Sequence, residues 1–354
     1  LCVLAAILLS LVRYMPSTSV QLPSPGQPGL IDGQIFTISR VEALQLQHQD
    51  PWVFLDGRNQ ETSRWRLLIP AVAHWLRVPT PIYLLCPRIG GALLVFVSAW
   101  LAWRGTRKVI PTLGIAALTA TSAPFLVAMD WILFDPYLLL ALLVFSYARS
   151  STVVWAAAAL GPWIDERFIL ILPAMAGLRW AREQKAFYPA LWGVLPYGLV
   201  RLTALALGDS SFGDQLKLQQ IYNSYWPEGC WYGFRAAWIP IIVGLGATGW
   251  AIRSRMGASA LGLWIASLLT GLGAIMWLAY DTSRSIAVLL PFLIYGGIVL
   301  SRLPGATLII LGSVILNFSL PCAHVIGASY YPIAPLWQPP VNRGFYFDPA
   351  HPLP

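Results

Sequence analysis

The sequence predicts an all-helical integral membrane protein with about 11 transmembrane helices. Three observations carry this expectation. Hydrophobic residues fill 57% of the 354 positions and charged residues only 11%, where a soluble domain carries roughly 25% charged residues. The mean hydropathy is +0.64. The apolar residues also gather in runs approaching the ~20 needed to cross a bilayer, with small basic clusters between them. A soluble globular fold is excluded. Lys and Arg, 23 in all, exceed the 15 Asp and Glu, but they are scattered in ones and threes rather than set in a stripe, so nucleic acid is not an expected partner. The 28 Pro and 29 Gly follow no period, which argues against a repeat array.

The runs fall at 1–12, 82–103, 109–128, 136–148, 152–164, 168–178, 187–207, 236–252, 257–280, 286–301 and 305–320. The first starts at Leu1 and has no small-residue cleavage site, so it reads as part of a membrane helix whose beginning lies upstream, not as a signal peptide. Arg104, Arg107, Lys108, Arg149, Arg179, Arg182, Lys185, Arg253, Arg255 and Arg302 fall in alternate loops with one acid, Glu183. That side is cytoplasmic by the positive-inside rule, and the remaining acidic residues face outward or lie at helix edges. The runs 136–148, 152–164 and 168–178 are short for a full crossing. Reading 152–178 as one helix would move Arg179, Arg182 and Lys185 outside. Two short helices meeting at Asp165-Glu166-Arg167 preserve the asymmetry and place a charged triplet partway into the membrane, at the floor of an outward cavity.

The chain is read as one polytopic membrane domain with three non-spanning stretches. In the first outer loop, 13–81, apolar residues at 31, 35, 38, 41 and 44 have helical spacing and predict an interfacial amphipathic helix, for which Asp32 fits an N-cap. The block from Glu61 to Pro70 follows, with Arg64 and Arg66 placed to anchor at headgroups or to meet an anion. The second outer loop, 208–235, sets Tyr222, Tyr225, Trp226, Trp231, Tyr232 and Phe234 among Asp209, Asp214 and Glu228. That composition fits an interfacial belt or sugar stacking. The tail, 321–354, reads as an extended outer segment rich in Pro and aromatics. Cys230 and Cys322 both map outside, where a disulfide is allowed; Cys2 and Cys86 read as helix-packing residues. No Walker loop, Rossmann glycine pattern, His-Glu-x-x-His or CxxC occurs, so nucleotide hydrolysis, nicotinamide chemistry and a zinc site of known type lack support.

Four short patterns, in order, resemble the polytopic glycosyltransferases of the GT-C superfamily and their bacterial relatives. They are Asp32-Gly33-Gln34; Arg64-Trp65-Arg66-Leu67-Leu68-Ile69-Pro70; Pro162-Trp163-Ile164-Asp165-Glu166-Arg167-Phe168; and Asp281-Thr282-Ser283-Arg284 with Pro291 after it. The chain departs from many relatives at Ile31 and at Gln34-Ile35, where those carry aromatics. The resemblance implies a transferase of the bacterial cytoplasmic membrane that takes a sugar from a polyprenyl-phosphate-linked donor and works at the outer face.

Such a reaction needs a base for the acceptor hydroxyl and cations for the departing phosphate. Asp32 is the candidate base or acceptor-orienting carboxylate. Asp165 and Glu166 are candidates for orienting acceptor or sugar, or else form with Arg167 a charge-neutral hinge between two helices. Arg64, Arg66, Arg167 and Arg284 suit phosphate, because a guanidinium offers a planar fork of donors and keeps its proton. Arg201 fits the same role or snorkels to the headgroups. Asp281 and Arg284, three apart, can pair across a helical turn or contact ligand. A divalent cation on Asp32 with a second carboxylate is also chemically allowed. Expected partners are the lipid-linked donor, membrane lipids and, in the alternative reading of a non-catalytic subunit that keeps this fold, a larger membrane complex. A transporter or flippase of a lipid-linked or anionic solute would also place Arg and acids in a membrane cavity.

Overall fold

The computed structural model describes residues 44–52, 66–122, 125–126, 134–183, 188–207, 226–278, 282–320, 323–326 and 329–332. Asp32, Arg64, Asp281 and Cys322 lie outside these residues, as do most of both predicted outer loops.

The described chain is helical apart from one small hairpin. After a helical stretch at 44–49 come α1 (Leu68–Trp75), α2 (Thr80–Thr106), α3 (Val109–Ala120), α4 (Asp135–Tyr147), α5 (Ser151–Ile164), α6 (Arg167–Glu183), α7 (Tyr188–Ala206) and α8 (Trp226–Phe234). A 3-10 turn at Arg235–Ala237 leads into α9 (Trp238–Met256), followed by α10 (Ala258–Leu278) and α11 (Thr282–Ser285). A second 3-10 turn, Ile286–Leu289, leads into α12 (Leu290–Leu300), and α13 (Ala306–Ser319) completes the helices.

Local chemistry sets several boundaries. Proline stands in the first turns of α2, α4 and α12, where its missing N–H would have no intrahelical partner. Ser150 caps α5 by accepting from the Val153 N–H. Arg107 ends α2 in the left-handed conformation, at φ 54°.

Among the described residues, four helical segments are long and apolar enough to cross a membrane: Thr80–Thr106, Cys230–Met256, Ala258–Trp277 and Thr282–Leu300. Four further apolar helices, α3, α4, α5 and α13, have 12 to 14 residues, about 18–21 Å at 1.5 Å per residue. The count of about 11 full crossings is therefore realised only in part. Pro162 inside α5 and the extended backbone of Asp165, at φ −164° and ψ 134°, break the chain between α5 and α6 at the predicted charged triplet.

Thr282–Leu300 is the most enclosed segment, with 83% of its apolar window buried. Where α9 and α12 cross, a Cβ on Gly296 would overlap the Pro240 carbonyl oxygen and one on Gly244 the Phe292 carbonyl oxygen. Small residues thus let two backbones touch, as helices packed without a hydrophobic drive require. Large apolar side chains also cover the outside: Trp250, Leu263 and Leu308 are all more than 70% exposed. Apolar contact area inside and out is the arrangement of a bundle solvated by lipid.

Among the described residues, several of the basic residues expected on one side gather at one end. Arg179 donates to the Phe145 and Ala148 carbonyls, Arg182 to Ser146, Lys108 to Ser301 and Arg255 to Ala181. These acceptors lie at helix C-termini, whose unsatisfied carbonyls carry partial negative charge.

Within the predicted outer tail, β1 (Ala323–Ile326) and β2 (Ser329–Pro332) pair antiparallel, with His324 opposite Tyr331 and Val325 opposite Tyr330. Val325, Ile326, Tyr330 and Tyr331 are residue types that favour strands, a local signal hidden by the Pro-rich composition of the tail as a whole.

Candidate functional site

At the opposite end of α4 and α6 from the basic end, charged side chains from five segments meet in the protein interior. The break after α5 makes this possible. With Asp165 extended, its carboxylate turns back to accept from the Arg167 backbone N–H at 3.0 Å, capping the start of α6. The same carboxylate takes the Arg167 guanidinium side-on, Nε to Oδ1 at 2.8 Å and Nη2 to Oδ2 at 2.8 Å. This is the two-pronged geometry in which arginine binds carboxylate most strongly.

Arg167 also donates through Nη2 to Oδ1 of Asp135, the first residue of α4, and its Nη1 lies 3.4 Å from the Ser285 hydroxyl. Asp135, Asp165 and Arg167 form the floor, with side chains only 3%, 4% and 8% exposed. A rim closes over it. Arg66 reaches Oδ2 of Asp165 at 3.0 Å, and Arg284 approaches Oδ2 of Asp135 at 3.4 Å. Their side chains keep 20% and 13% exposure. Beside them Glu166, the most exposed member, accepts from the Tyr197 hydroxyl at 2.9 Å and pairs with Arg201 at 3.2 Å. Trp163 packs edge-on against the Tyr197 ring.

Six of the residues singled out in the sequence are therefore gathered here: Arg66, Asp165, Glu166, Arg167, Arg201 and Arg284. Arg201 turns inward to Glu166 rather than only snorkelling outward. Arg284 meets Asp135, while its expected partner Asp281, like Asp32 and Arg64, lies outside the described residues. Asp135 and Ser285 are additions. By sequence Asp135 falls among the acids at helix edges, and its signal is a carboxylate directly before Pro136 and an apolar helix, where an unpaired charge would be costly. Ser285 carried no sequence signal.

Among the described members four guanidinium groups face three carboxylates, leaving a net charge of +1. Each of these carboxylates is engaged by an arginine, so none is disposed as a general base. The floor can hold position, and the rim can present donors to an anion. Among the described residues no three His, Cys, Asp or Glu side chains are grouped to hold a metal ion, and the two buried aspartates both face arginine. Cys230 is a free thiol, and its proposed pairing with Cys322 falls outside the described residues. Compared with known protein families, with characterised proteins and with solved structures, the chain matches none.

Proposed function

We propose that the chain is a membrane glycosyltransferase that moves a sugar from a polyprenyl-phosphate-linked donor to an acceptor at the outer face of a bacterial cytoplasmic membrane. The observation that supports the reading is the meeting of Arg66, Arg167, Arg201 and Arg284, spread over more than 200 positions of sequence, around one break between short helices. In this reading the buried Asp135–Arg167–Asp165 unit is a fixed base plate that orients the arginines above it. The partly exposed Arg66 and Arg284 meet the donor phosphate, and their charge offsets the negative charge that grows on the leaving phosphate as the glycosidic bond breaks. Glu166, tied to Tyr197 and Arg201, lies where it can accept from a sugar or acceptor hydroxyl. The proton of the acceptor goes to Asp32, the carboxylate set beside Gly33 in the first outer loop.

The pairing of the buried carboxylates with arginine favours one second reading, a non-catalytic membrane subunit in which the ion-pair cluster only holds the bundle together. A transfer assay separates the two. Radiolabelled sugar on polyprenyl phosphate is supplied to the reconstituted chain, to Asp32→Asn and to Arg284→Gln. Transfer by the parent that falls at least about a hundredfold in Asp32→Asn, with unfolding temperature unchanged, supports the enzyme. Absence of transfer across a donor panel by well-folded protein gives the subunit reading its place.

A further inference from the structure

The far end of the bundle holds a cavity of about 570 Å³, within the usual size of small-ligand pockets. Five arginines line it: Arg104 and Arg107 at the end of α2, Arg149 in the α4–α5 turn, Arg182 in the last turn of α6, and Arg302 after α12. Among the described residues no carboxylate lines it. The floor is apolar, with Leu101 and Ile298 buried beside Tyr147.

Two general effects account for part of this and not the rest. The positive-inside rule explains why basic residues are numerous on one side, but it concerns loops singly and gives no reason for four separate segments to surround one hollow. Attraction to helix C-termini explains Arg182, which donates to the Ser146 carbonyl at 2.7 Å while its guanidinium lies 3.8 Å from the Tyr147 ring centre. Arg104 rests over Trp100. Arg104, Arg107, Arg149 and Arg302 are exposed at the mouth. Guanidinium groups converging from four segments on a concavity with low-dielectric walls concentrate the field that draws an anion in.

We propose that this pocket binds a phosphate-bearing anion on the face opposite the Asp135–Arg167 cluster. Phosphate fits better than a carboxylate, because several guanidinium forks converging from different directions need an acceptor with three or more oxygens. Two sources carry that group, the headgroup of an anionic lipid in the adjoining leaflet and a soluble phosphate compound. The inference stands whether or not the chain transfers sugar.

The test uses the full chain in phosphatidylcholine nanodiscs. One arm titrates inorganic pyrophosphate by calorimetry. The other adds phosphatidylglycerol and follows its retention by native mass spectrometry. Arg149→Gln/Arg302→Gln removes two mouth charges, and Arg77→Gln/Arg253→Gln removes the same formal charge from exposed positions that do not line the pocket. The expected result is a loss of about tenfold or more in the first pair and less than about twofold in the second. Pyrophosphate responding alone supports a soluble ligand, phosphatidylglycerol alone a lipid, and both together the site itself. Failure of the parent to bind either probe, or equal losses in the two pairs, overturns the proposal. Should the glutamine pair not fold, Arg149→Lys/Arg302→Lys keeps the charge and removes the forks. A loss of about threefold then supports the site, and none overturns it.

Discussion

Helices α4 and α6 each carry the same kind of problem at both ends and solve it differently. At their N-termini Arg167 is buried and answered by the carboxylates of Asp135 and Asp165. At their C-termini Arg179 and Arg182 are answered by backbone carbonyls and an aromatic ring. A buried ion pair is rigid and intolerant, since removal of one partner strands the other in low dielectric. A partly exposed cation held by carbonyl dipoles, as Arg182 is, keeps most of its charge available to a visiting anion. The first end is therefore suited to fixing geometry and the second to recruiting counter-charge.

The sharpest way to break this comparison is Arg167→Met. It leaves two buried carboxylates with only the rim arginines Arg66 and Arg284 as partners and is expected to cost about 3–5 kcal/mol in thermal unfolding. Adding Asp135→Asn and Asp165→Asn to it should restore much of the loss, and a triple variant no better than the single would show that charge is not what matters there. Next comes Gly296→Val, at neither end, where the new side chain must displace the Pro240 carbonyl. Its expected cost of about 1–3 kcal/mol should loosen both ends together, read as parallel loss of hydrogen-exchange protection in α4 and α9. Arg182→Gln should cost less, about 1–2 kcal/mol, because carbonyls near a helix end find water more readily than buried carboxylates do. A loss matching that of Arg167→Met in the same melts would erase the distinction between the ends. The smallest effect is expected for Tyr197→Phe, which removes one hydrogen bond to the half-exposed Glu166 and should shift stability by about 1 kcal/mol or less.

Much of the site was legible because charge inside an apolar run is rare. Asp165-Glu166-Arg167 stood out between two short helices, and the balance of basic residues required a break there, which is where α5 ends and α6 begins. What could not be read was the partnering. Asp135 looked like an edge acid because it stands just before Pro136 at the start of the run 136–148, and only the packing of α4 against α6 brings it to Arg167. Arg235 was assigned to the end of an aromatic outer loop. It is in fact fully buried, at φ 49°, donating to the carbonyls of Thr121 and Leu320. Composition averages over a window, whereas burial of a single cation depends on two carbonyls more than 80 residues away. Helix bounds were legible, as in the runs 136–148 and 152–164 against α4 and α5, because apolar runs and their flanking charges mark them directly.

The shortness of α4 and α5 carries one more consequence. At about 20 Å they fall well below the roughly 30 Å of an average hydrocarbon layer, while α2 beside them spans it with length to spare. α4 is enclosed by its neighbours, but α5 presents Val153, Trp155 and Leu160 outward, so lipid beside α5 must compress or be replaced by protein, at a modest cost per ångström of mismatch. The protein thereby registers the thickness of the bilayer around it: in discs built from progressively longer acyl chains, unfolding temperature should fall as the chains lengthen, and fall first on the side where the short helices stand.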